Sequence, residues 1–316
     1  MMTTALLLPV AVLTDFAVGD PRWLPHPVRA LGWWYAVIER GLYRDGFFFG
    51  IVAWLMVVIP AVGLAGAATW LAETWHPWAG WGLAVLAVWL AVAARDLADH
   101  ALRVYRPLVT GDLPAARIAV GMIVGRDTAQ LDAPEVARAA VEAVAESAVD
   151  GVVAPLCWAA AGLALAGPAG AAAGAWLFRA ANTLDSAWGH RDPRYRRFGW
   201  LSARADDVLA WLPARLVASL IVVLGGHPLR SLRTWWRDAH RHASPNAGRA
   251  EAAMAGALDV RLGGANWYAG ERHDGPLFHA TGRPPDANDI SRCVRVMLTV
   301  TLVATATLTA VVWGLS

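Results

Sequence analysis

The chain of 316 residues contains no lysine, since all 27 of its basic residues are arginine. A Walker A loop needs a lysine on the β- and γ-phosphates, so this type of nucleotide site is excluded. A Schiff-base lysine is excluded as well, so we expect no covalent cofactor of the pyridoxal phosphate kind. Any phosphate must be bound by arginine forks, by backbone N–H groups or by a metal ion.

Cysteine is scarce and histidine is scattered. Cys157 and Cys293 stand alone without a CxxC spacing, which excludes a disulfide framework and a zinc knuckle. The nine histidines include the pair His240 and His242 but no HExxH motif, so zinc catalysis is not indicated. The net charge is only +2 and no basic run alternates with aromatic residues, so we expect no nucleic acid partner.

Charged residues are also few. They make up 16% of the chain, whereas hydrophobic residues make up 57%. Soluble domains contain about 25% charged and about 45–50% apolar residues. The composition therefore predicts an all-α, polytopic integral membrane protein in contact with the lipid bilayer. Because apolar segments occur along the whole chain, we expect a single membrane domain over 1–316.

The prediction of a membrane protein rests on six apolar segments. A helix that crosses a membrane needs about 20 residues. The segments lie near 2–18, 48–72, 78–95, 152–178, 207–224 and 294–314. The first segment has no basic n-region and no A-x-A cleavage site. We therefore interpret it as a membrane anchor and not as a signal peptide.

The fourth and fifth apolar segments are interrupted. Gly167 and Pro168 break the fourth segment, and Pro213 and Arg215 lie inside the fifth. Broken helices are tolerated at membrane depth where they line a cavity or pack against protein. We expect both segments to be broken or re-entrant helices that dip into the membrane and return, which leaves four true crossings.

The arginine distribution predicts the orientation. The connection 73–77 contains no arginine, whereas 95–151, 179–206 and 226–293 contain six, six and nine. The positive-inside rule places these three segments in the cytoplasm as helical loops. We expect the protein in a bacterial cytoplasmic (inner) membrane with its active site facing the cytoplasm. The alternative is that the rule fails for the long last loop, where it is weakest.

Acidic residues follow one face of a helix that the sequence predicts at 133–149. Asp132 is typical of its N-cap. At about 100° per residue, Glu142, Glu146 and Asp150 fall on one stripe. A solvated helix face is the alternative, but the opposite face is almost wholly alanine and valine, which indicates packing. We expect Asp150 and the glycine after it to turn the chain into the fourth apolar segment.

Polar residues also cluster at the ends of the fourth and fifth apolar segments. Those after the fourth segment are Asn182, Thr183, Asp185 and Ser186. Helix capping is the alternative explanation for them. Arg204, Asp206 and Asp207 precede the fifth segment, where two adjacent carboxylates either hold a divalent cation or pair with the arginine. We expect these carboxylates to converge with Asp150 on one face.

Three shorter motifs indicate a functional site less strongly than these clusters do. In GRDT, the glycine before Arg126, Asp127 and Thr128 lets backbone N–H groups approach an anion. The segment 244–249 is similar, and its Arg249 can fork a phosphate while Ser244 or Asn246 caps the next helix. His26, between two prolines, either binds an anion or anchors at the membrane interface.

Seven blocks in this order resemble the adenosylcobinamide-phosphate synthase family (CobD/CbiB) of cobalamin biosynthesis. The blocks are GDPRWLPHPVRALG at 19–32, GRDT at 125–128, EAVAESAVDGVVAPL at 142–156, RAANTLDSAWGH at 179–190, RRFGWLSARADDVLAWLPARL at 196–216, SPNAGRAEAAMAGAL at 244–258 and RLGGANWYAG at 261–270. Ser147, His190 and Asp259 depart from the Asn, Tyr and Gly expected there. None of these departures removes a carboxylate or an arginine of the expected site.

The resemblance implies ATP- and Mg²⁺-dependent amide formation. The family joins adenosylcobyric acid to (R)-1-aminopropan-2-ol O-phosphate, or to the free aminoalcohol, and so makes adenosylcobinamide phosphate. The carboxylate must be activated as an acyl phosphate, which needs Mg²⁺ and arginines around the transferring phosphoryl group. The attacking amine must lose a proton, which a carboxylate can accept. Expected partners are the corrinoid, the aminoalcohol, the bilayer and other membrane-associated enzymes of cobalamin biosynthesis.

The resemblance also suggests roles for the residues. We expect Glu142 or Glu146 to accept the amine proton, with Asp185 as a further catalytic group. Metal ligands are expected at Asp150, Asp185, Asp206 and Asp207. Substrate and phosphate contacts are expected at His26, Arg126, Asp127, Thr128, Asn182, Thr183, Ser186, Arg204, Arg215, Asn246 and Arg249. The alternatives are a non-enzymatic membrane sensor, a corrinoid carrier, or a transporter, for which the sequence lacks internal repeats.

Overall fold

The computed structural model describes residues 6–21, 23, 26–190 and 192–315. Most of this chain is helical, which confirms the predicted all-α class. Contacts divide the chain into two compact units. The first contains the stretch ending at Ala93, Asp150–Ala210 and the stretch from Thr305, and the second contains Ala94–Val149 and Trp211–Ala304.

The elements are as follows in chain order. The first eight helices are α1 (Leu7–Val18), α2 (Pro27–Leu42), α3 (Phe47–Trp75), α4 (Pro77–Trp89), α5 (Ala94–Val109), α6 (Leu113–Gly121), α7 (Ala133–Ser147) and α8 (Ala154–Trp188). They are followed by α9 (Tyr195–Phe198), α10 (Trp200–Leu209), α11 (Trp211–Leu224), α12 (Pro228–Asp238), α13 (Ala247–Leu258), strands β1 (Leu262–Tyr268) and β2 (Glu271–Phe278), and α14 (Ala287–Leu315).

Within the described part of the chain, four helical stretches are long and apolar enough to cross a membrane. They are Phe47–Trp75, Pro77–Val109, Ala133–Trp188 and Ala287–Leu315. The bent pair of α10 and α11 counts as a fifth only if its two halves form one span. The first predicted segment forms α1, a helix of 12 residues, and its positions 2–5 lie outside the described residues. These apolar helices agree with a polytopic membrane protein.

The core of the first unit lies where α2, α3 and the C-terminal part of α8 meet. Trp188 and Phe198 are among its largest buried side chains, and their rings meet edge to face with centroids 5.1 Å apart. Full burial of a large apolar side chain stabilises a fold by about 1.5–3 kcal/mol. This packing holds the polar residues that follow the fourth apolar segment in a rigid frame.

The predicted break in the fourth apolar segment is confirmed. Ala166 and Gly167 leave helical geometry within α8, and Gly167 has φ 63° and ψ −152°. Pro168 follows directly and cannot donate a backbone hydrogen bond to the preceding turn. The break divides α8 into a first arm at 154–165 and a second arm at 168–188.

The two arms run antiparallel in close contact. A Cβ on Gly162 would lie 1.9 Å from the carbonyl oxygen of Gly170, and a Cβ on Gly174 would lie 2.1 Å from that of Trp158. Such an approach is possible only without side chains, as in the small-xxx-small packing of membrane helices. The segment therefore folds back on itself, as expected for a re-entrant helix.

The helix predicted from residue 133 begins as expected. Asp132 Oδ1 accepts from the backbone N–H of Glu135 at 2.8 Å, and the Glu135 carboxylate accepts from the N–H of Asp132 at 3.0 Å. This reciprocal pair is a capping box, which satisfies two N–H groups of the first helical turn. Glu135 is thereby assigned to the helix end and not to the cavity described below.

The turn predicted at Asp150-Gly151 is wrong. Residues Ala148–Val153 form a π-helix that continues α7 into α8. Val152 and Val153 are fully buried here, so the chain remains helical and does not turn out into solvent. A π-helix adds a residue to one turn and occurs often at functional sites. It changes the direction of the Asp150 side chain relative to the stripe expected on a regular helix.

A two-stranded hairpin in the second unit was not predicted. β1 and β2 pair antiparallel, and Ala269 and Gly270 between them have φ 50° and 81°, as a type I′ turn requires. The pairing is irregular between Gly263 and Ala265, where Gly263 has φ 77°. A Cβ on Gly263 would lie 2.0 Å from the carbonyl oxygen of Pro276, which explains the glycine at this position.

Replacing Ala269 by asparagine is expected to stabilise the hairpin by about 0.5–1 kcal/mol. Alanine at φ 50° is in the left-handed region, which asparagine tolerates better. Denaturant unfolding in detergent would measure the gain. The matched variant Gly270→Ala, at φ 81°, should lose stability. A loss of stability with Ala269→Asn would contradict the assigned turn.

Candidate functional site

The predicted site residues fall into two groups, one in each unit. In the second unit, a polar cavity of about 310 Å³ is bounded by α7, α13, the hairpin and the segment before α7. The polar and ionisable residues of its wall are Arg126, Glu142, Glu146, Ser147, His242, Glu251, Asn266 and Tyr268. Two predicted catalytic candidates therefore share this cavity with a carboxylate that the sequence reasoning did not select.

Glu142 forms the base of the cavity and is 7% exposed, so it does not lie on a solvated helix face. Its Oε1 accepts from the backbone N–H of Gly263 at 2.6 Å and from Arg138 Nη1 at 3.4 Å. Its Oε2 accepts from Arg126 Nη2. A buried carboxylate paired with two arginines is strongly coupled to its surroundings, and removal of one partner is costly.

The same two arginines attach the hairpin to α7. Arg138 donates to the carbonyl oxygen of Gly263 at 2.6 Å, to that of Ala265 at 3.0 Å and to Asn266 Oδ1 at 3.1 Å. Arg126 also donates to Asn266 Oδ1. Its guanidinium is thus already engaged, so a phosphate contact by Arg126 would require an exchange of partners.

Glu251 on α13 is the carboxylate that the sequence reasoning missed. It lines the cavity, is 7% exposed and forms neither a hydrogen bond nor an ion pair with another described residue. Burial raises the pKa of Glu251 well above its usual range, and the neighbouring carboxylates of Glu146 and Glu142 raise it further. One feature of the sequence could have identified Glu251: it is the only acidic residue in a helix that otherwise consists mostly of alanine, glycine and methionine.

Glu146 lies one helical turn beyond Glu142 and is exposed in the cavity wall. Its carboxylate contributes to the negative potential at Glu251. The residues of the predicted acidic stripe thus have different surroundings. Glu142 is enclosed by arginines, whereas Glu146 faces the cavity, where a ligand can reach it.

The other GRDT residues support the hairpin. The N–H of Asp127 donates to the carbonyl oxygen of Trp267 at 2.8 Å, and its Oδ2 accepts from the N–H of Gly270 at 2.7 Å. The Thr128 hydroxyl lies beside Gly121, where an added Cβ would be 3.1 Å away. The Asp127 contacts hold the turn of the hairpin in place, a role that its sequence position did not indicate.

Two arginines and an amide are brought together at the start of α13. Arg215 Nη1 donates to the carbonyl oxygen of Trp211 at 2.7 Å and lies 3.4 Å from Asn246 Oδ1. The charge of Arg249 is its electrostatic neighbour. Neither arginine forms an ion pair with a carboxylate in the described chain. Two adjacent cations without a countercharge are suited to bind an anion.

The predicted cap of α13 is supplied by Ser244. Its Oγ accepts from the N–H of Asn246 at 3.2 Å and from the N–H of Ala247 at 3.4 Å. The Asn246 side chain does not cap the helix and is buried. Of the two alternatives for capping, serine is therefore correct, which leaves the Asn246 amide directed toward Arg215.

In the first unit, the polar residues after the fourth apolar segment meet those before the fifth. Asn182 Nδ2 donates to Asp206 Oδ1 at 3.1 Å. Asp207 is the first electrostatic neighbour of Asp185 and lies 3.4 Å from Arg204 Nη1. Three of the four predicted metal ligands therefore lie at the contact between α8 and α10.

Two further residues of the second arm were expected to contact substrate. Thr183 donates its hydroxyl to the carbonyl oxygen of Arg179 at 2.7 Å, which is a bond within the helix. Ser186 is exposed one turn further along the same arm. Thr183 is thus occupied locally, whereas the Ser186 hydroxyl is accessible.

Asp150 is associated with Arg179 in the first unit. The guanidinium of Arg179 donates to the carbonyl oxygens of Ala91, at 3.0 Å, and Gly151, at 3.1 Å. Asp150 and Asp20 are its neighbouring negative charges, and His26 Nε2 lies 3.7 Å from Asp20 Oδ1. His26 also caps α2 by accepting from the N–H of Val28 at 3.3 Å.

The metal prediction is not decided by this arrangement. Within the described ranges, no group of three or more His, Cys, Asp and Glu side chains is placed to hold a metal ion. Mg²⁺ is usually held by one or two carboxylates together with substrate phosphates and water. The carboxylates of Asp185 and Asp207 are electrostatic neighbours, and two carboxylates are enough for that smaller requirement. The metal site therefore stays a prediction.

Comparison with known proteins yields one family. The family model described as CobD/Cbib protein matches residues 8–297. The cobalamin biosynthesis protein CbiB of Salmonella typhimurium is 42% identical over 97% of both chains. The cobalamin biosynthesis proteins CobD of Klebsiella pneumoniae and Rhodobacter capsulatus are 43% identical over 91% and 41% identical over 100% of both chains. No solved structure matches this chain significantly.

Proposed function

This chain belongs to the CobD/CbiB protein family, and from that membership we propose that it forms an amide bond in cobalamin biosynthesis with the consumption of ATP. The proposed substrates are adenosylcobyric acid and (R)-1-aminopropan-2-ol O-phosphate or the free aminoalcohol. The product is adenosylcobinamide phosphate or its unphosphorylated form. The names of the relatives support the pathway, and the site supports the type of reaction.

The observation that carries the reaction type is the meeting of two polar motifs in the first unit. Asn182 contacts Asp206, and Asp185 lies beside Asp207, at the contact between α8 and α10. Mg²⁺ is usually bound by one or two carboxylates together with substrate phosphates and water. Asp185 and Asp207 would hold a Mg²⁺ ion together with ATP phosphates, and the metal would neutralise charge on the transferring phosphoryl group.

The reaction then proceeds in two balanced steps. An oxygen of the corrinoid carboxylate attacks the γ-phosphorus of ATP, and the bond from that phosphorus to ADP breaks, which leaves an acyl phosphate. The amine nitrogen next attacks the acyl carbon, the bond from that carbon to the phosphate oxygen breaks, and inorganic phosphate leaves. The proton lost from nitrogen is accepted by a protein carboxylate.

Glu146 is the better candidate for that proton acceptor. Its carboxylate is exposed in the cavity of the second unit. Glu142 already accepts from Gly263 and from two arginines, so it is suited to position the cavity wall. A general base must be within reach of the proton that it abstracts, which favours the accessible side chain.

Arg215, Arg249 and Asn246 are the best candidates for a phosphate contact in the second unit. The two guanidinium groups are neighbours, and Asn246 contacts the first of them. Arginine binds phosphate through several directed N–H groups, which suits a chain without lysine. Since ATP is made in the cytoplasm, we also propose that the catalytic face is cytoplasmic.

The reaction is tested with purified protein in detergent, adenosylcobyric acid, the aminoalcohol phosphate, ATP and Mg²⁺. Mass spectrometry is expected to detect the coupled corrinoid, and the product should be absent without ATP or with excess chelator. Asp185→Asn should lower the rate about 100-fold if the carboxylate stabilises charge on the phosphoryl group. Asp45→Asn, which removes an exposed ion pair with Arg197, should leave the rate unchanged. Absence of product with all components would refute the proposed activity.

A further inference from the structure

Glu251 is buried in the wall of a cavity without a partner. The side chain is on α13, only 7% of the residue is exposed, and no described residue donates a hydrogen bond to it. An unpartnered buried carboxyl group loses hydration without compensation, which is unfavourable. Most other residues of this helix are alanine or glycine, and the chain retains this unfavourable carboxyl group among them. A ligand that supplies the missing donor is the simplest explanation.

The surroundings of Glu251 select a cation. Ionisable groups near it or in the same cavity wall are Glu142 and Glu146 on α7, Arg138 on α7, Arg126 before α7, and His242 and Tyr268. The two arginines are already bound to Glu142 and to the hairpin. Glu251 therefore faces the cavity without an ion pair of its own, and the neighbouring carboxylates of Glu146 and Glu142 make the potential around it negative.

The cavity also restricts the size and type of that cation. Its volume of about 310 Å³ is at the small end of ligand pockets, which span about 300–1,000 Å³. A corrin macrocycle with its side chains is too large for it. A small organic cation with several N–H donors fits both the volume and the acceptors.

We infer that this cavity binds the protonated amino group of a small aminoalcohol, and that the Glu251 carboxylate contacts the ammonium directly. That the amine is the second substrate of amide formation rests on the proposed function. Glu146 is on α7 in the wall of the same cavity and would receive a proton from the same nitrogen. Glu251 is thus a substrate-binding residue, and the hairpin attached by Arg126 and Arg138 forms one wall of the amine site.

The protonation state of the empty site is consistent with this assignment. Burial and the neighbouring carboxylates raise the pKa of Glu251, so the empty site favours the neutral acid. An ammonium group supplies the opposite charge and favours the ionised form. When the ligand binds, the carboxyl O–H bond breaks, and its proton passes to solvent.

Calorimetry on the full-length protein in detergent, without ATP or corrinoid, tests the assignment. The ligands are 1-aminopropan-2-ol and propane-1,2-diol, which lacks the amino group. Wild-type protein is expected to bind the amine and not the diol. Glu251→Gln should weaken amine binding about 10- to 100-fold, since a hydrogen bond to a charged group is lost. Glu271→Gln, an exposed carboxylate on β2, should leave amine binding unchanged.

The outcomes separate the amine site from the amide-forming reaction. Equal binding of amine and diol by the wild type would overturn the site, as would unchanged affinity in a folded Glu251→Gln protein. If Glu251→Gln fails to fold, Glu251→Asp keeps the charge and should bind the amine more weakly while retaining the diol discrimination. Amine binding through Glu251 without amide formation would refute only the proposed reaction. Amide formation with an unchanged KM for the amine in Glu251→Gln would refute only the site.

Discussion

Replacing Glu142 by glutamine is expected to lower the free energy of unfolding of the second unit by about 3–5 kcal/mol. The neutral side chain would leave Arg126 and Arg138 buried without their countercharge. Its amide N–H₂ group would also face donors, because Gly263 N–H and both guanidinium groups all donate to this carboxylate. The hairpin should then detach from α7, and activity should fall with it.

Hydrogen exchange gives the most direct measurement of this effect. Amides of β1 and β2 are expected to lose protection in the Glu142→Gln protein before the rest of the chain does. Asp99→Asn is the matched control, since Asp99 forms an exposed ion pair with Arg95 on α5. Such a pair contributes about 0–1 kcal/mol, so the control should behave like the wild type. Equal protection of the hairpin in all three proteins would contradict the role assigned to Glu142.

A single methyl group at position 162 is expected to disrupt the first unit. In Gly162→Ala, the new Cβ would lie 1.9 Å from the carbonyl oxygen of Gly170, which belongs to rigid backbone and cannot move aside alone. The two arms of α8 must separate to relieve the overlap. Overpacking of a close contact costs about 1–3 kcal/mol or more, and this case is at the upper end.

Gly82→Ala is the matched control, and its effect on stability should be neutral or opposite to that of Gly162→Ala. Gly82 lies within α4, and a Cβ added there meets no atom within 4 Å. Alanine favours a helix over glycine by up to about 1 kcal/mol, so this variant should be neutral or more stable. The midpoint of thermal unfolding in detergent measures both variants. Similar midpoints for the two would show that the arms of α8 do not pack as described.

The break in α8 could be predicted because its cause is local. Gly167 adopts a φ that disfavours a side chain, and Pro168 removes a backbone donor, so adjacent residues contain the signal. The hairpin could not be predicted in the same way. Its strands contain several glycines and charged residues, and they show no regular alternation of apolar and polar side chains. Its attachment depends on Arg126 and Arg138, which lie more than 100 positions away.

In the candidate site, too, some features could be predicted from local sequence, whereas others depend on contacts between distant residues. The meeting of Asn182 with Asp206 follows from the position of both motifs at the ends of apolar segments, and the sequence pattern indicated it. The structural role of Asp127 depends on the turn of an unpredicted hairpin. Glu251 could not be selected by spacing, because its significance lies in burial without a partner. The roles of Asp127 and Glu251 depend on tertiary contacts, which the local sequence does not reveal.

The paired arms of α8 have a consequence for how the chain enters the bilayer during synthesis. At 1.5 Å per residue, the first arm at 154–165 is about 18 Å long, and the apolar part of the second arm at 168–178 is about 16 Å long. Each is shorter than the hydrocarbon layer, which is about 30 Å thick. Neither arm is therefore a sufficient signal for insertion by itself. We therefore expect the two arms to enter the bilayer together, with their glycine contact formed, only after the second arm has been synthesised.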